Sequence, residues 1–376
     1  MTQSNVLAQA QLEGIDPCRW IGLHAEIDAI GACLRYAGFD ASFTRLMGMT
    51  ASALRTHFFR LQENPGLRLG PDPENPEALW GPRFGWSSLQ HNNYGHFESI
   101  GHFFGADIRQ VDGLDAVSTW KLLRFELDAN RPVIASLHGD PLQMDIITGY
   151  RLQKAPLGQI LHVVTPNGPI EIDITARKPE QEGAFPRSLI LVRPESLAPH
   201  RASDDALQMG ALRWALGHGR TRRELVYETQ RFYATGEHAF EAFALFLRHD
   251  AQQELEEPIE ADKDQIAALL PIFCRLLTDQ WARARRQAAL YFQAWSDDLR
   301  QSGREIEGFP DAANALGSLP EFYNKTAQAL EEALAMMGSN GLDLSDANLR
   351  NKLADAIGTA RQHELRTLEA LAAVLN

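Results

Sequence analysis

The stretch "LHAEIDAIGACLRYAG", residues 23–38, decides how the first half of this chain is interpreted. Its residues Leu23, Ile27, Ile30 and Leu34 recur at spacings of four, three and four, which predicts one apolar face of an α-helix. The "AGFD" that overlaps its end predicts where this helix stops. The first half of the chain therefore begins with an amphipathic helix.

The segments on either side of this helix predict its surroundings. Residues 1–20 are expected to form a loose arm. Further helices are predicted at 41–60, 94–105 and 118–132, and a loop rich in Pro, Gly and Trp lies at 61–90. Strands are then predicted in "ADIRQV", "PVIASLHG", "QMDIITGYRL", "ILHVVTPNGPIEIDI" and "RSLILVRPESL". Helices followed by antiparallel-looking strands indicate an α+β fold.

The character of the chain changes after about residue 200. Ala, Leu, Gln, Glu and Arg dominate there, strand signals vanish, and long periodic patterns predict helices to the end. We therefore predict an α+β domain over residues 1–200 and an all-α helical domain over residues 201–376.

Bulk composition excludes several classes of protein. The net charge of -13 argues against a nucleic-acid binder, which needs a basic face. No apolar run approaches the roughly 20 residues that span a membrane, and the N-terminus has no signal-peptide pattern. Three widely spaced cysteines, Cys18, Cys33 and Cys274, favour a reducing compartment over a disulfide framework. We expect a cytoplasmic protein.

No metal site or cofactor is predicted. His91, His96 and His102 are five and six residues apart, which scatters the imidazoles around a helix instead of placing them on one face. No Gly-rich phosphate loop follows a strand.

Several motifs resemble a papain-like family of cysteine acyltransferases and peptidases, butirosin biosynthesis protein H among them. "HAEIDAIGACLRYAG" resembles the family's opening helix, and "LMGMTASALRTHF" its following Gly-rich stretch. "RPVIASLHG", "MDIITGY" and "ILHVVTPNG" resemble the strands that end such domains. In the helical half, "TGEHAFEAFALFL" and "WARARRQAALYF" are similar to a domain that often follows. The resemblance implies a papain-like α+β domain followed by a helical one.

The resemblance also implies where the catalytic residues would lie. The family's nucleophile is a thiolate, activated by a helix N-terminus and an imidazolium that a third polar group orients. Its cysteine position falls on Ala25, and its histidine position on Met144, or on Gln143 if the register shifts by one. The orienting-acid position falls near Thr165, with Asn167 two residues further on. None of these residues can perform the family's role.

Two main functions remain open. A catalytically degenerate protein would bind a small molecule or an acyl-carrier-type partner, in a biosynthetic context. Alternatively, the chain is an active acyltransferase that makes an amide or ester from a thioester, with its cysteine replaced by Ala25. A third hypothesis is an interaction protein that works through its helical half, whose apolar character is compatible with a homodimer.

Other residues near these motifs have two interpretations each. His24 is a general base or oxyanion donor, or a residue that packs or caps the helix. His162 is a displaced base or a structural histidine, and His138 has no assigned role. Cys18 is the other thiol that could reach the site, whereas Cys33 and Cys274 are expected in the core.

Two clusters could contact a ligand or partner. The loop aromatics Trp80, Phe84 and Trp86 line a pocket or cover the domain surface. The arginines Arg283, Arg285 and Arg286 meet an acidic carrier protein or form a solvated helix face.

Overall fold

The computed structural model describes residues 6–19, 24–58, 96–137, 143–154, 157–174, 188–194, 204–226, 231–251, 263–338 and 342–375. The chain is a mixed α+β protein with an antiparallel sheet and a C-terminal helical region, as predicted. It divides into two compact units. The first comprises Met1–Leu46 and Gly95–Asp204, and the second comprises Met47–Tyr94 and Asp205–Asn376.

Helices and strands are numbered separately, each in chain order. The α-helices are α1 (Ala25–Tyr36), α2 (Phe43–Met49), α3 (His96–Phe104), α4 (Ala116–Asp128), α5 (Asp204–Arg220), α6 (Glu237–Leu245), α7 (Lys263–Ser302), α8 (Ala312–Met336) and α9 (Ala347–Leu375). The strands are β1 (Val6–Gln11), β2 (His57–Phe58), β3 (Asp107–Asp112), β4 (Val133–Ala135), β5 (Asp145–Lys154), β6 (Leu157–Thr165), β7 (Gly168–Asp173), β8 (Ser188–Arg193), β9 (Arg223–Val226) and β10 (Arg231–Thr235). A 3₁₀ turn forms at Ser52–Leu54, and a π-helical turn at Phe246–Asp250 continues α6.

An antiparallel sheet organises the first unit. Its strands pair in the order β3-β8-β4-β5-β6-β7, and β1 pairs with β5. Helix α4 packs its Leu123 and Leu127 onto the face that carries Val133 and Ala135. The other face is buried too, since Ile134 is fully buried. Helix α1 contacts β4 and β8, which lie within the sheet, so the predicted opening helix packs against its central strands.

Residues Val6–Gln11 of the N-terminal arm form strand β1, which corrects the expectation of a loose segment at these positions. Ala10 of β1 pairs with Tyr150, and Ala8 and Ala10 pack against the core. The pairing depends on Gly149, because a Cβ there would lie 2.4 Å from the carbonyl oxygen of Ala10. Glycine is thus required where β1 approaches the backbone of β5.

The helix predicted over residues 41–60 is shorter than expected. Helix α2 ends at Met49, and Ala51 has a φ of 57°, a left-handed conformation that does not continue a helix. The hydroxyls of Thr50 and Ser52, 2.5 Å apart, bond to each other at this break. The chain then forms the 3₁₀ turn and the short strand β2.

The described residues of the second unit form helices and a small sheet, which corrects the expectation of an all-helical region after residue 200. Its strands pair in the order β2-β10-β9, all antiparallel. Phe58 of β2 is buried against Phe243 and Phe246, with ring centroids 5.1 and 5.6 Å away. No sequence pattern indicated that residues 47–58 belong with the C-terminal helices.

The arginine cluster of α7 is not one solvated face. Arg285 is fully buried and forms two hydrogen bonds with the carboxylate of Glu364 on α9, at 2.9 and 2.6 Å. Its Nη1 donates to the carbonyl oxygens of Ala53 at 2.8 Å and Arg55 at 3.4 Å. Both alternatives for this cluster are therefore wrong for Arg285, which joins α7, α9 and the 3₁₀ turn inside the second unit.

Candidate functional site

The start of α1 holds the position that the family resemblance assigns to the nucleophile. Ala25 is the first residue of the helix and is fully buried. His24 precedes it as the N-cap residue, and its backbone oxygen, not its imidazole, accepts from the amide of Ile27 at 3.1 Å. The helix N-terminus is an electrostatically suitable place for a thiolate. The side chain present there is a methyl group.

Acidic side chains occupy the first turn of α1. Glu26 and Asp28 are both buried, and Asp28 Oδ2 accepts from the backbone amide of Arg19 at 2.7 Å. Carboxylates are favourable near the positive end of the helix dipole. That bond also fixes the segment that brings Cys18 towards the helix.

The two thiols of the first unit are both buried. Cys18 is fully buried, and its Sγ donates to the carbonyl oxygen of Ala25 at 3.4 Å. The structure thus places this thiol beside the nucleophile position. Burial raises the pKa of Cys33, on the same helix, to about 12, so Cys33 is an inert core thiol, as expected.

The base and orienting positions lie at the same end of the β5–β6 ladder. Met144 and the alternative Gln143 directly precede β5, and both are half-buried. Thr165 ends β6, next to the rung that pairs Ile146 with Val164. Met144 offers a thioether, which takes up no proton at physiological pH.

The hydroxyl of Thr165 is already used by the β6–β7 turn. It donates to the carbonyl oxygen of Gly168 at 2.8 Å and accepts from the amide of Asn167 at 3.1 Å. Thr165 is therefore a turn residue here, and Asn167 lies in the turn itself.

A buried carboxylate adjoins the base position and was missed in the sequence. Asp145 is fully buried, and its Oδ2 accepts from the amide of Leu137, just beyond β4, at 3.1 Å. The signal available in the sequence was an acidic residue at the start of an apolar strand.

His162 belongs to a polar cluster further along β6. Its Nδ1 lies 3.3 Å from Glu171 Oε1 on the neighbouring strand β7, and the other oxygen of Glu171 accepts from Arg151 at 2.9 Å. Because side chains alternate along a strand, His162 points to the face opposite Thr165. The structure thus separates these two candidates. Burial lowers the pKa of His162 and outweighs the opposing effect of Glu171, while Arg151 lowers it further.

We expect acid to destabilise the first unit through His162. Its folded-state pKa is lowered, so the unfolded chain, with an ordinary histidine pKa of about 6.5, binds the proton more tightly. The unfolding free energy that the first unit has above about pH 6.5 therefore decreases as the pH falls from about 6.5 through the folded-state pKa of His162. Urea denaturation at about pH 7.5 and 5 should show a larger decrease in the unfolding free energy for the parent than for His162→Gln. Equal decreases in the two proteins would contradict this role of His162, because the parent and the variant share all other titrating groups.

One cluster in the second unit has metal-ligand chemistry. Among the described residues, Glu237, His238 and Glu241 have ligand atoms within 4.8 Å of one another. Arg361 of α9 contacts both carboxylates, at 2.5 Å for Glu237 and 3.4 Å for Glu241. His238 lies 3.1 and 3.3 Å from the same two groups. Because the Arg361 guanidinium bridges both carboxylates and offsets one of their two negative charges, the cluster is an ion network between α6 and α9.

Several candidates cannot be placed. The described residues do not include His91, His138, Trp80, Phe84 or Trp86. His96 lies in α3, but its side chain is outside the description. Cys274 is fully buried in α7, as expected for a core residue. Within the part of the chain that is described, no helix has the length and apolar character needed to cross a membrane.

Comparison of the sequence with models of known protein families finds no match, and comparison with curated proteins finds none either.

Proposed function

We propose that this chain is a papain-like protein that has lost the family's catalytic groups and binds a small molecule or an acyl-carrier-type partner. The observation that carries this proposal is the start of α1. A buried helix contacts the central strands of an antiparallel sheet and begins with Ala25, where the resemblance assigns the nucleophile. The position that the resemblance assigns to the nucleophile thus lies at the start of a buried helix and carries no thiol.

The chemistry of the remaining positions supports the same proposal. A papain-like reaction needs a base that takes the thiol proton and a polar group that orients this base. Met144 cannot accept the proton, and the hydroxyl of Thr165 already bonds within its own turn. His162 is paired with Glu171 on the sheet face opposite Thr165. Restoring a cysteine at position 25 would therefore leave it without its assigned base.

The alternative is an active acyltransferase whose cysteine has been replaced by Ala25. The position of Ala25 at a helix N-terminus favours it, because this environment lowers a thiol pKa. The codon for residue 25 in the native gene separates these alternatives directly: alanine supports the degenerate protein, and cysteine supports the active enzyme.

Restored side chains provide a second test. We expect Ala25→Cys to form no acyl-enzyme with a panel of acyl thioesters, because position 144 still lacks a base. Ala25→Cys/Met144→His should react with iodoacetamide at about pH 6 on the order of tenfold faster than Ala25→Cys, since an adjacent imidazolium stabilises the thiolate. Intact-mass spectrometry measures both reactions.

The unsubstituted protein is the control, because any alkylation of it reports on Cys18, Cys33 and Cys274 and not on position 25. A mass increase on residue 25 of the single variant with a thioester would support the active enzyme and contradict the degenerate one. Identical alkylation profiles for the single and double variants would contradict the papain-like placement of Met144.

A further inference from the structure

The start of α1 is closed to solvent in the structure. Ala25 is 0% exposed, and Glu26 and Asp28 in the same first turn are buried as well. A ligand therefore cannot contact position 25 until a neighbouring segment moves. The described segments that contact α1 determine which movement is possible.

One of these neighbours is the centre of the sheet. Helix α1 contacts β4 and β8, and each of these strands is paired on both sides, β8 with β3 and β4, and β4 with β8 and β5. Val133 and Ile134 of β4 are fully buried. Moving this side of α1 would break the middle of the sheet, so it does not provide an entry route.

The other described neighbour is the chain that leads into the helix. The Sγ of Cys18 donates to the carbonyl oxygen of Ala25 at 3.4 Å, and the backbone amide of Arg19 donates to Asp28 Oδ2 at 2.7 Å. Both contacts hold one short segment against the first turn of α1. That segment can leave without disturbing the paired strands beneath the helix.

The same segment continues from strand β1, and residues 6–19 together are called the strap. Among the described strands, β1 pairs with β5 alone, so it is an edge strand. Leu12 and Cys18 are the buried side chains among those described in the strap, and Ala8 and Ala10 are small and partly buried. Because little apolar area holds the strap, we expect it to open more easily than the rest of the unit.

We propose that the strap opens as one segment, releasing β1 from β5 and Cys18 from the start of α1, and that this opening admits a ligand to position 25. The two attachments are only a few residues apart in the chain, so the release of β1 also frees the residues that contact α1. This inference rests on the proposed function, since it supplies the route by which the ligand of that function reaches the nucleophile position.

Two buried thiols allow a test in the parent protein. Cys18 lies on the strap, whereas Cys33 lies within α1 and is 2% exposed. Iodoacetamide should alkylate Cys18 at least about tenfold faster than Cys33, because Cys33 becomes accessible only when the unit unfolds. Below the unfolding transition, urea should accelerate the Cys33 reaction far more, since the urea dependence scales with the surface exposed. Peptide mass spectrometry measures each rate.

Two substitutions distinguish strap opening from unfolding. Gly149→Ala places a Cβ 2.4 Å from the carbonyl oxygen of Ala10, which disfavours the closed strap and should raise the Cys18 rate about tenfold or more. Ile172→Val is the matched control, in the core and on β7, which pairs with β6 and not with β5. It destabilises the closed and open forms alike, so it should raise the Cys33 rate several-fold and leave the Cys18 rate unchanged.

Ala25→Cys extends the measurement to position 25. If the strap controls entry, the new thiol should follow Cys18: Gly149→Ala should raise its alkylation rate, and Ile172→Val should not change it. Circular dichroism of each variant checks that the fold is retained.

Three results would overturn the inference. Cys18 rates that follow the Cys33 rates in urea and in both variants would show that unfolding alone exposes Cys18. A thiol at position 25 that follows Cys33 would show that strap opening does not reach this position. A thiol at position 25 that reacts rapidly and equally in every variant would show that another route exists.

Binding measurements keep this inference separate from the proposed function. The parent is titrated calorimetrically with the panel of acyl thioesters and with holo acyl carrier protein. Binding without strap opening would overturn the inference and leave the proposed function standing. Strap opening without binding would contradict the proposed function and leave the opening of position 25 standing.

Discussion

Arg285→Met is expected to destabilise the second unit by about 3–5 kcal/mol, the cost of leaving one partner of a buried ion pair without its counter-ion. Glu364 is almost fully buried and receives both of its side-chain hydrogen bonds shown here from Arg285. The carbonyl oxygen of Ala53 would also lose its donor. Urea or thermal denaturation followed by circular dichroism measures the change.

The neighbouring residue supplies the control. Arg286 pairs with Glu331, and both side chains are more than a third exposed, so Arg286→Met should cost less than about 1 kcal/mol. Arg285→Met/Glu364→Leu should recover most of the lost stability, because it removes both charges together. Equal losses for Arg285→Met and Arg286→Met would show that burial does not determine the role of Arg285.

Gly48→Ala is expected to destabilise the second unit by about 3 kcal/mol or more, at the upper end of overpacking effects. An added Cβ would lie 2.0 Å from Cγ of Tyr291 and 2.3 Å from its Cδ1 and Cδ2, against a buried ring. The ring would have to move, and its hydroxyl would lose the hydrogen bond to Gln208 Oε1 at 2.6 Å. Thermal denaturation of the full chain detects the loss.

The same substitution elsewhere should act in the opposite direction. Gly358 lies within α9, and an added Cβ there meets nothing within 4 Å. Gly358→Ala should therefore stabilise by up to about 1 kcal/mol, because alanine is the better helix former. If Gly48→Ala behaved like Gly358→Ala, the close packing of Tyr291 on α2 would be contradicted.

Periodic segments with local signals were predictable from the sequence. Helix α1 has the apolar spacing of Ile27, Ile30 and Leu34, and α4 is capped by Asp115, whose carboxylate accepts from the amide of Ser118. The apolar strands β5, β6 and β8 form where their sequences indicated. In these segments the local pattern and the final packing agree.

Segments whose partners lie far away in the chain were missed. The "AQAQ" of β1 alternates, but alanine is a poor strand former, and the strand gains its stability from β5, about 140 residues later. Strands β9 and β10 are short, and β10 pairs with β2 from the first half of the sequence. Such pairings depend on tertiary contacts that no local window contains.

For the candidate site, the sequence predicted where residues lie in the secondary structure but not which residues they contact. The motif placed Ala25 at the start of a helix, which is confirmed, and its assigned role stays a prediction. The contact between Cys18 and the Ala25 carbonyl depends on how the preceding segment folds back. Arg285 carried an available signal, because it shares a helical face with the buried residues Trp281, Ala288 and Phe292. Its charge obscured that pattern.

Residues 47–58 also set the order of events when the protein is made. The carbonyl of Ala53 finds its donor on Arg285, 232 residues later, and the hydroxyl of Thr56 bonds to Gly236, 180 residues later. At typical translation speeds, the ribosome needs about 10–50 s to add the intervening residues. Until Phe243 and Phe246 have been added, Phe58, a core residue of the finished protein, has none of its aromatic neighbours. The second unit can therefore complete its core only near the end of synthesis, after Arg285 and Glu364 have been added.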